Sequence, residues 1–353
     1  MSSLIPALAA LASPDGKYLT QTSEEVRLAA LNAIKHALLD GQSLPQTGVS
    51  LSTRASFALL GNLIAVLLDG TRMERSKRLK LAVLEAVLAC IQELAGGLPA
   101  RNASNCCEPS KPSPLRMAKV FPGTFASVFR VAMDTDVKQG SKVTAAALKC
   151  VEAALRACAA DAVMEAVGLL PPEQSVLHRM LHLTLKGSER EPSTTFHVAP
   201  VPGWDPAWLR LCEEKICPRV RELLEKCCHA SHWRVRAAGA SLAVMVASVA
   251  PRVLRPCFLD AVETLLVLAE DPLDAVASNA QQWRRSGLLS LRAHAASWYA
   301  TVQSATPRLW AAVAALPRYA LYYAAAGCRN STIIMAMCCA NYHIVFTVIG
   351  LRG

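Results

Sequence analysis

The sequence predicts an all-α chain assembled from antiparallel helix pairs, and three observations carry that prediction. Apolar residues make up 53% of the 353 positions while aromatics make up only 5%. That Ala- and Leu-rich balance suits helices packed on helices, since β-rich domains of this size carry more Val, Ile, Thr and aromatic residues. Apolar positions also recur at helical spacing: Val143, Ala147, Cys150 or Val151, and Ala154 form one stripe, and Val235, Ala238, Leu242, Met245 and Val249 another. Finally, short polar turns separate these segments in a repeated order of helix, turn, helix.

The first pair is Leu4–Leu11, a Pro-Asp-Gly turn, and Ser23–Leu39. Ser23 is placed to cap the second helix, Glu24 and Glu25 sit in its first turn where the helix dipole favours them, and Gly41 closes it. The second pair is Arg54–Leu68, a turn at Asp69-Gly70-Thr71, and Glu74–Leu94. The third is Met117–Met133 followed by Ser141–Cys158. The fourth is Asp205–Cys228, a His-Ala-Ser connection, and Trp233–Val249. A fifth begins over Leu254–Ala269, turns at Glu270-Asp271-Pro272 and continues past Leu273. Each second helix has a basic residue near its start (Arg27, Arg78, Lys142, Arg236), with acidic or Asn/Asp-type residues in the preceding turn. In stacked repeats such residues can form ladders between neighbouring pairs.

No single pair can bury both of its faces, so the pairs must stack, giving a HEAT/armadillo-like superhelical solenoid. Its expected divisions are N-terminal helix pairs over 1–95, a loop over 96–114, middle helices over 115–186, a loop over 187–203, C-terminal helices over 204–327 and an atypical apolar tail over 328–353. The two loops are rich in Gly, Pro, Ser and Asn and lack an apolar period.

Composition and motifs argue against several function classes. The formal charge is +10, but the basic residues stand singly along helix faces, as Arg72, Arg75, Lys77, Arg78 and Lys80 do. A nucleic-acid surface concentrates them on one element or interleaves them with aromatics, so no nucleic-acid role is expected. Thirteen Cys at irregular spacing, with doublets such as Cys106-Cys107 and Cys227-Cys228, read as reduced core thiols of a cytosolic or nuclear protein. No paired CxxC halves occur, and His178 and His182, four residues apart, lack the Glu and third ligand of a zinc site, so no metal is expected. Phosphate-cradling loops and the GxSxG nucleophile elbow are missing as well; no cofactor and no enzymatic activity are expected. The N-terminal apolar stretch has no basic lead and is interrupted by Pro6, so it does not read as a signal peptide.

Two segments remain distinctive. His232-Trp233-Arg234-Val235-Arg236 is expected to start a helix capped by Ser231, with Trp233 packed back on the preceding helix and two Arg flanking an inward Val235. His232, Trp233, Arg234 and Arg236 are therefore candidates for repeat packing or partner contact, an exposed Trp-Arg pair being a natural hot spot. Ser331–Gly350 carries no formal charge over a length that could span a bilayer, yet Asn341, Tyr342 and His343 stand near its middle. A non-homologous chain end fits it better than an anchor, and carbonate extraction should leave the protein soluble.

Four ordered stretches resemble the N-terminal portion of the TELO-two-interacting protein one family, the large HEAT-repeat subunit of the TTT co-chaperone complex. They are Glu25-Val26-Arg27-Leu28-Ala29; Glu74-Arg75-Ser76-Lys77 with Leu79-Lys80-Leu81-Ala82 and Leu84; Phe121-Pro122-Gly123 with Lys138-Gln139-Gly140 and Leu148-Lys149; and Trp208 through Leu224 followed by His232–Arg236. The resemblance covers about residues 20 to 285; family members are roughly three times longer, and the stretch after about Gly327 matches nothing recognised. It implies binding without catalysis, in company with two sister TTT subunits and the Hsp90 chaperone machinery. The clients it implies are phosphatidylinositol-3-kinase-related kinases (PIKK), among them mTOR and ATM. Cytoplasmic residence, extending to the nucleus, goes with that role. The alternatives are a generic HEAT adaptor of the nuclear-transport type and, resting on the tail alone, a membrane-anchored helical protein. An array that stops without a polar capping repeat exposes an apolar face, so the chain is expected to aggregate unless a partner or the tail covers that end, and monodisperse behaviour of a chain ending near Ala326 would refute this.

Overall fold

The structure, a computed structural model, describes residues 4–40, 54–95, 115–134, 140–170 and 206–283. Regular structure among these residues is helical, and a single backbone bridge between Ala12 and Tyr18 closes the first turn. The helices are α1 (Leu4–Leu11), α2 (Glu24–Asp40), α3 (Arg54–Met73), α4 (Lys77–Leu94), α5 (Leu115–Met133), α6 (Ser141–Ala159) and α7 (Asp161–Ala166). They are followed by α8 (Pro206–Leu211), which passes through a π-helical turn at Cys212–Ile216 directly into α9 (Cys217–Cys228). Then come α10 (Trp233–Ser248), a 3₁₀ turn at Arg255–Cys257, α11 (Phe258–Leu268) and α12 over residues 274–283. The expected loops over 96–114 and 187–203, His178 with His182, and the stretch Ser331–Gly350 lie outside the described residues.

Packing divides the chain into two units, one holding the described residues through Leu169 together with 206–219, the other Leu170 and those from Val220 onward. In the first unit α1 packs on α2, α3 on α4 and α5 on α6. The second helices α2, α4 and α6 also pack on one another in order, and α3 packs on α5, so the unit is a two-layer stack of antiparallel pairs. The all-α solenoid architecture read from the sequence is the one observed. Helix α4 shows why stacking is needed: it has α2, α3 and α6 as neighbours, and Leu79, Val83, Leu84, Ala86, Val87, Cys90 and Ile91 are all fully buried. The α6 stripe of Val143, Ala147, Cys150, Val151 and Ala154 is buried too. Ser23 caps α2, its hydroxyl accepting from the Val26 N–H at 3.3 Å.

Helix α3 departs from the expected boundary. Asp69-Gly70-Thr71 is composed of turn residues, yet the helix runs through it to Met73, and the turn falls over residues 74–76. Each of the three residues has other work. Asp69 pairs with Arg72 at 2.7 Å and Thr71 donates its hydroxyl to the Leu68 carbonyl at 2.7 Å. Gly70 lies under the Tyr18 ring, where an added Cβ would stand 2.7 Å from Cε2. A helical glycine costs about 1 kcal/mol against alanine, and here the close approach of Tyr18 requires it.

In the second unit α10 packs on α11, and Val235, Ala238, Leu242 and Met245 of the expected stripe are buried, while Val249, at the C-cap just past the helix, is only half-buried. The fifth pair starts at Phe258 rather than Leu254, because Pro256 leads a 3₁₀ turn into α11. The close point of this unit is Gly239 on α10, where a Cβ would lie 2.4 Å from Cys227 Cβ. The atom met is a Cβ, so Cys227→Ala gives no room and the two helices must move apart. Gly239→Ala is expected to cost about 1–3 kcal/mol, as overpacking does, with no rescue by Cys227→Ala; a thermal melt of the single and double variants checks it.

The cysteines serve the core. Cys90, Cys150, Cys158, Cys212, Cys217, Cys227 and Cys257 are buried thiols outside any disulfide, and Cys228 is partly buried. Burial pushes Cys150, Cys212 and Cys227 up to about 12 and Cys228 to about 11, and it raises Cys90 and Cys158 as well. Thiolates, the reactive form, are therefore disfavoured at these positions. Cys150 donates its thiol proton to the Leu84 carbonyl at 3.3 Å, tying α6 to α4.

Candidate functional site

The turns between helices hold two constellations of the same design, one in each unit. Arg27 stands in the first turn of α2 and is nearly buried. Its Nη1 donates to the Thr20 carbonyl at 2.9 Å and to the Thr22 carbonyl, both in the turn that leads into its own helix. Its Nε and Nη2 then fork onto Glu74 at 2.7 and 3.4 Å, and Glu74, 4% exposed, belongs to the turn of the next pair. Tyr18 donates its hydroxyl to the same Glu74 oxygen at 2.8 Å. Burial and the Glu74 carboxylate raise the Tyr18 phenol above its ordinary range, so it stays a donor.

Arg236 repeats the arrangement in the first turn of α10. Its Nη1 donates to the Ala230 and Ser231 carbonyls at 2.9 and 3.0 Å, and its Nε and Nη2 fork onto Asp271 at 2.5 and 3.3 Å. Asp271 lies in the turn after α11 and also accepts from the Leu273 N–H at 3.0 Å. A planar guanidinium suits this position because one fork can serve two carbonyls and a carboxylate at fixed angles. The ladder anticipated from early basic residues and turn acids exists at Arg27 and Arg236, but the acid belongs to the turn of the following pair. That placement is what fastens one pair to the next. In the second pair the side chain reaching the following turn is Lys77, whose Nζ comes within 3.7 Å of the space above Gly140; Arg78 beside it and Lys142 on α6 are exposed.

The four singled-out residues divide between these roles. Arg236 is a repeat-packing residue, as just described. His232, not Ser231, caps α10, its Nδ1 accepting from the Arg234 N–H at 3.2 Å. Trp233 is 37% exposed, stacked against His232 at 6.2 Å between ring centroids, with the Arg234 guanidinium over its ring at 4.7 Å. A Trp held by a ring and a cation is pre-ordered, so little rotamer freedom is lost when a partner covers it. Val235 points inward, as expected.

Other large apolar side chains stand beside the same ladder. Val26, 48% exposed, precedes Arg27; Met73, 46% exposed, precedes Glu74; and Leu273, 43% exposed, follows Asp271 by two residues. The alternation of ladder residues with exposed apolar groups was not legible in the sequence, because a helix period cannot tell an outward Val26 from an inward one. Chemically these turns suit binding: the ladder carboxylates are committed to guanidinium partners, and no cluster of metal-ligating side chains occurs among the described residues.

A family model described as the TTI1 N-terminal TPR domain matches residues 1–272. The chain belongs to that family. The match spans α1 through α11 and both ladders, so the arrangement described above is the family's helical-repeat scaffold as this chain carries it. The description names the repeat TPR where the sequence suggested HEAT; the two share the antiparallel helix pair stacked on its neighbours. No curated protein and no solved structure matches the chain. None of the described helices is long and apolar enough to cross a membrane.

Proposed function

We propose that this TTI1-type scaffold acts by binding alone, as a subunit of the TTT co-chaperone complex that supports the maturation and stability of PIKK-family kinases such as mTOR and ATM. Its partners in this reading are the two sister TTT subunits, the kinases and the Hsp90 machinery, in the cytoplasm and the nucleus. The observation that supports it is the family match across the stacked pairs. A repeat stack offers a long surface of exposed turns and helix faces, the kind of surface that holds another helical-repeat protein without chemistry. The His232–Trp233–Arg234 stack is the contact proposed to anchor a partner.

Affinity purification of the full chain from cells tests the reading, with recovery of the sister subunits and PIKK-family kinases as the expected result. Recovery of neither sinks it, and importin cargo without kinases replaces it with a transport adaptor. Trp233→Ala is expected to weaken partner recovery by roughly 30-fold in affinity, the loss of about 2 kcal/mol at a hot spot. Its thermal melt should match the parent, because the ring is not part of the core.

A further inference from the structure

The first unit carries a groove that the turn ladder does not use. It runs between the C-terminal half of α3 and the outer face of α5, with about 920 Å³ of open space. Ala65 and Leu68 of α3 and Gly123 and Ala126 of α5 form its floor. A Cβ added at Gly123 would meet nothing within 4 Å, so the glycine opens space rather than relieving a clash. From Gly123 to Met133 the α5 wall runs roughly 15 Å at 1.5 Å per residue, just under three turns of a docked helix.

The rim is basic. Lys80 of α4, Arg130 of α5 and Arg219 of α9 line it, with Arg219 lying over the Phe129 ring at 5.4 Å. Among the described residues no carboxylate pairs with any of these three. The Arg72 charge is already met by Asp69 at 2.7 Å, and Asp134 is engaged elsewhere. Three unmatched cations around an apolar, small-residue floor form a surface complementary to one kind of occupant.

We propose that this groove receives an acidic amphipathic helix from a partner protein. Its apolar row would lie on Ala65, Leu68, Gly123 and Ala126, and its carboxylates would face Lys80, Arg130 and Arg219. Helix-in-groove recognition reads such i, i+3, i+4 anchors, and unmatched rim charges give on-rate and specificity to a partner of opposite sign. A nucleic-acid backbone fits less well: the floor offers no open ring for stacking, since Phe129 is covered by Arg219, and Asp69 and Asp134 also stand on the wall. The inference rests on reading the chain as a binding scaffold but not on the identity of its complex.

The test uses the purified full chain and three fluorescent probes: a 21-residue amphipathic helix of Leu and Glu, the same peptide with Lys in place of Glu, and a 20-nucleotide single-stranded DNA. The Glu peptide is expected to bind, with affinity falling about tenfold in Arg130→Glu and in Arg219→Glu, as two or three screened charge contacts reverse. Gly123→Glu, which places a carboxylate in the open floor, is expected to reduce Glu-peptide binding to the same degree. All three variants should melt with the parent. Failure of the Glu peptide to bind, equal binding of the Lys peptide, tighter binding of the DNA, or binding unchanged in Gly123→Glu would each overturn the proposal. Loss of TTT partners in cells with intact Glu-peptide binding would fault the proposed complex and leave the groove standing.

Discussion

Glu74→Ala is expected to destabilise the first unit by about 3–5 kcal/mol, the usual consequence of removing one partner from a buried ion pair. The variant leaves the buried Arg27 guanidinium with only the Thr20 and Thr22 carbonyls as acceptors, and it strips the Tyr18 hydroxyl of its acceptor. At roughly 2–4 °C per kcal/mol for a unit of this size, the thermal midpoint of the full chain should fall by about 6–20 °C. Glu74→Gln keeps the acceptor for Tyr18 and should lose less. The double variant Arg27→Met with Glu74→Leu should recover most of the loss, because two well-packed apolar side chains replace a buried pair at little net cost. A midpoint within a degree or two of the parent in Glu74→Ala would show that the ladder contributes no stability. The exposed pair Lys35–Glu85, at 2.6 Å but more than a third exposed on both sides, provides the contrast: its removal should be nearly silent.

Most of the helix pairs were legible because they obey local rules. Helix α2 has its cap at Ser23 and its acids in the first turn, and α6 and α10 carry apolar stripes whose period survives into the core. What was not legible depends on partners distant in sequence. Asp69-Gly70-Thr71 has turn chemistry, and only the Tyr18 ring, 52 residues away by subtraction of 18 from 70, turns it into a helical close contact. Ser231 is the better cap by type, yet the helix begins at Trp233, which puts His232 at the cap position, while the Ser231 carbonyl accepts from Arg236. The ladder was visible as a pattern of early basic residues and turn acids, but its direction was not, since sequence order does not say which turn stacks beneath which helix. Nothing in composition marked the groove: its cations come from α4, α5 and α9, so they are scattered in sequence and gathered only by packing. The +10 charge read as a set of solvated faces is, at this one place, a cluster.

The ladder and the apolar core divide the task of assembling the stack. Apolar burial drives pair onto pair and is non-directional, so it depends on area more than on any one contact. Each Arg fork has fixed geometry and reaches from the turn before its own helix to the acid of the next pair, so it is satisfied in one register only. By this argument ladder variants should alter the uniqueness of the stack as well as its stability, while core variants should alter stability alone.

Phe121→Ala tests the core side and is expected to cost about 3–5 kcal/mol, the range for a buried Phe reduced to a methyl group. Phe121 is 1% exposed and stands at the head of an aromatic row, stacked on Phe125 at 5.5 Å and edge-on to Trp208 at 5.3 Å, with Phe129 continuing from Phe125 at 6.1 Å. Because Trp208 belongs to α8, the ring fastens α5 to a helix far along the chain, and truncation opens a cavity where three rings meet. Phe121→Leu retains part of the volume and should lose less. The urea midpoint of the full chain, with an unchanged slope, is the measurement, and a midpoint equal to the parent's would refute the assignment. Phe121 and Gly123 flank Pro122 in the string that resembles the family, yet at 100° per residue they lie about 200° apart on α5. One faces the core and the other the groove. Phe121→Ala should therefore lower stability and carry acidic-peptide binding down with it, whereas Gly123→Glu, at an open position with no neighbour to displace, should lose the binding and keep the fold.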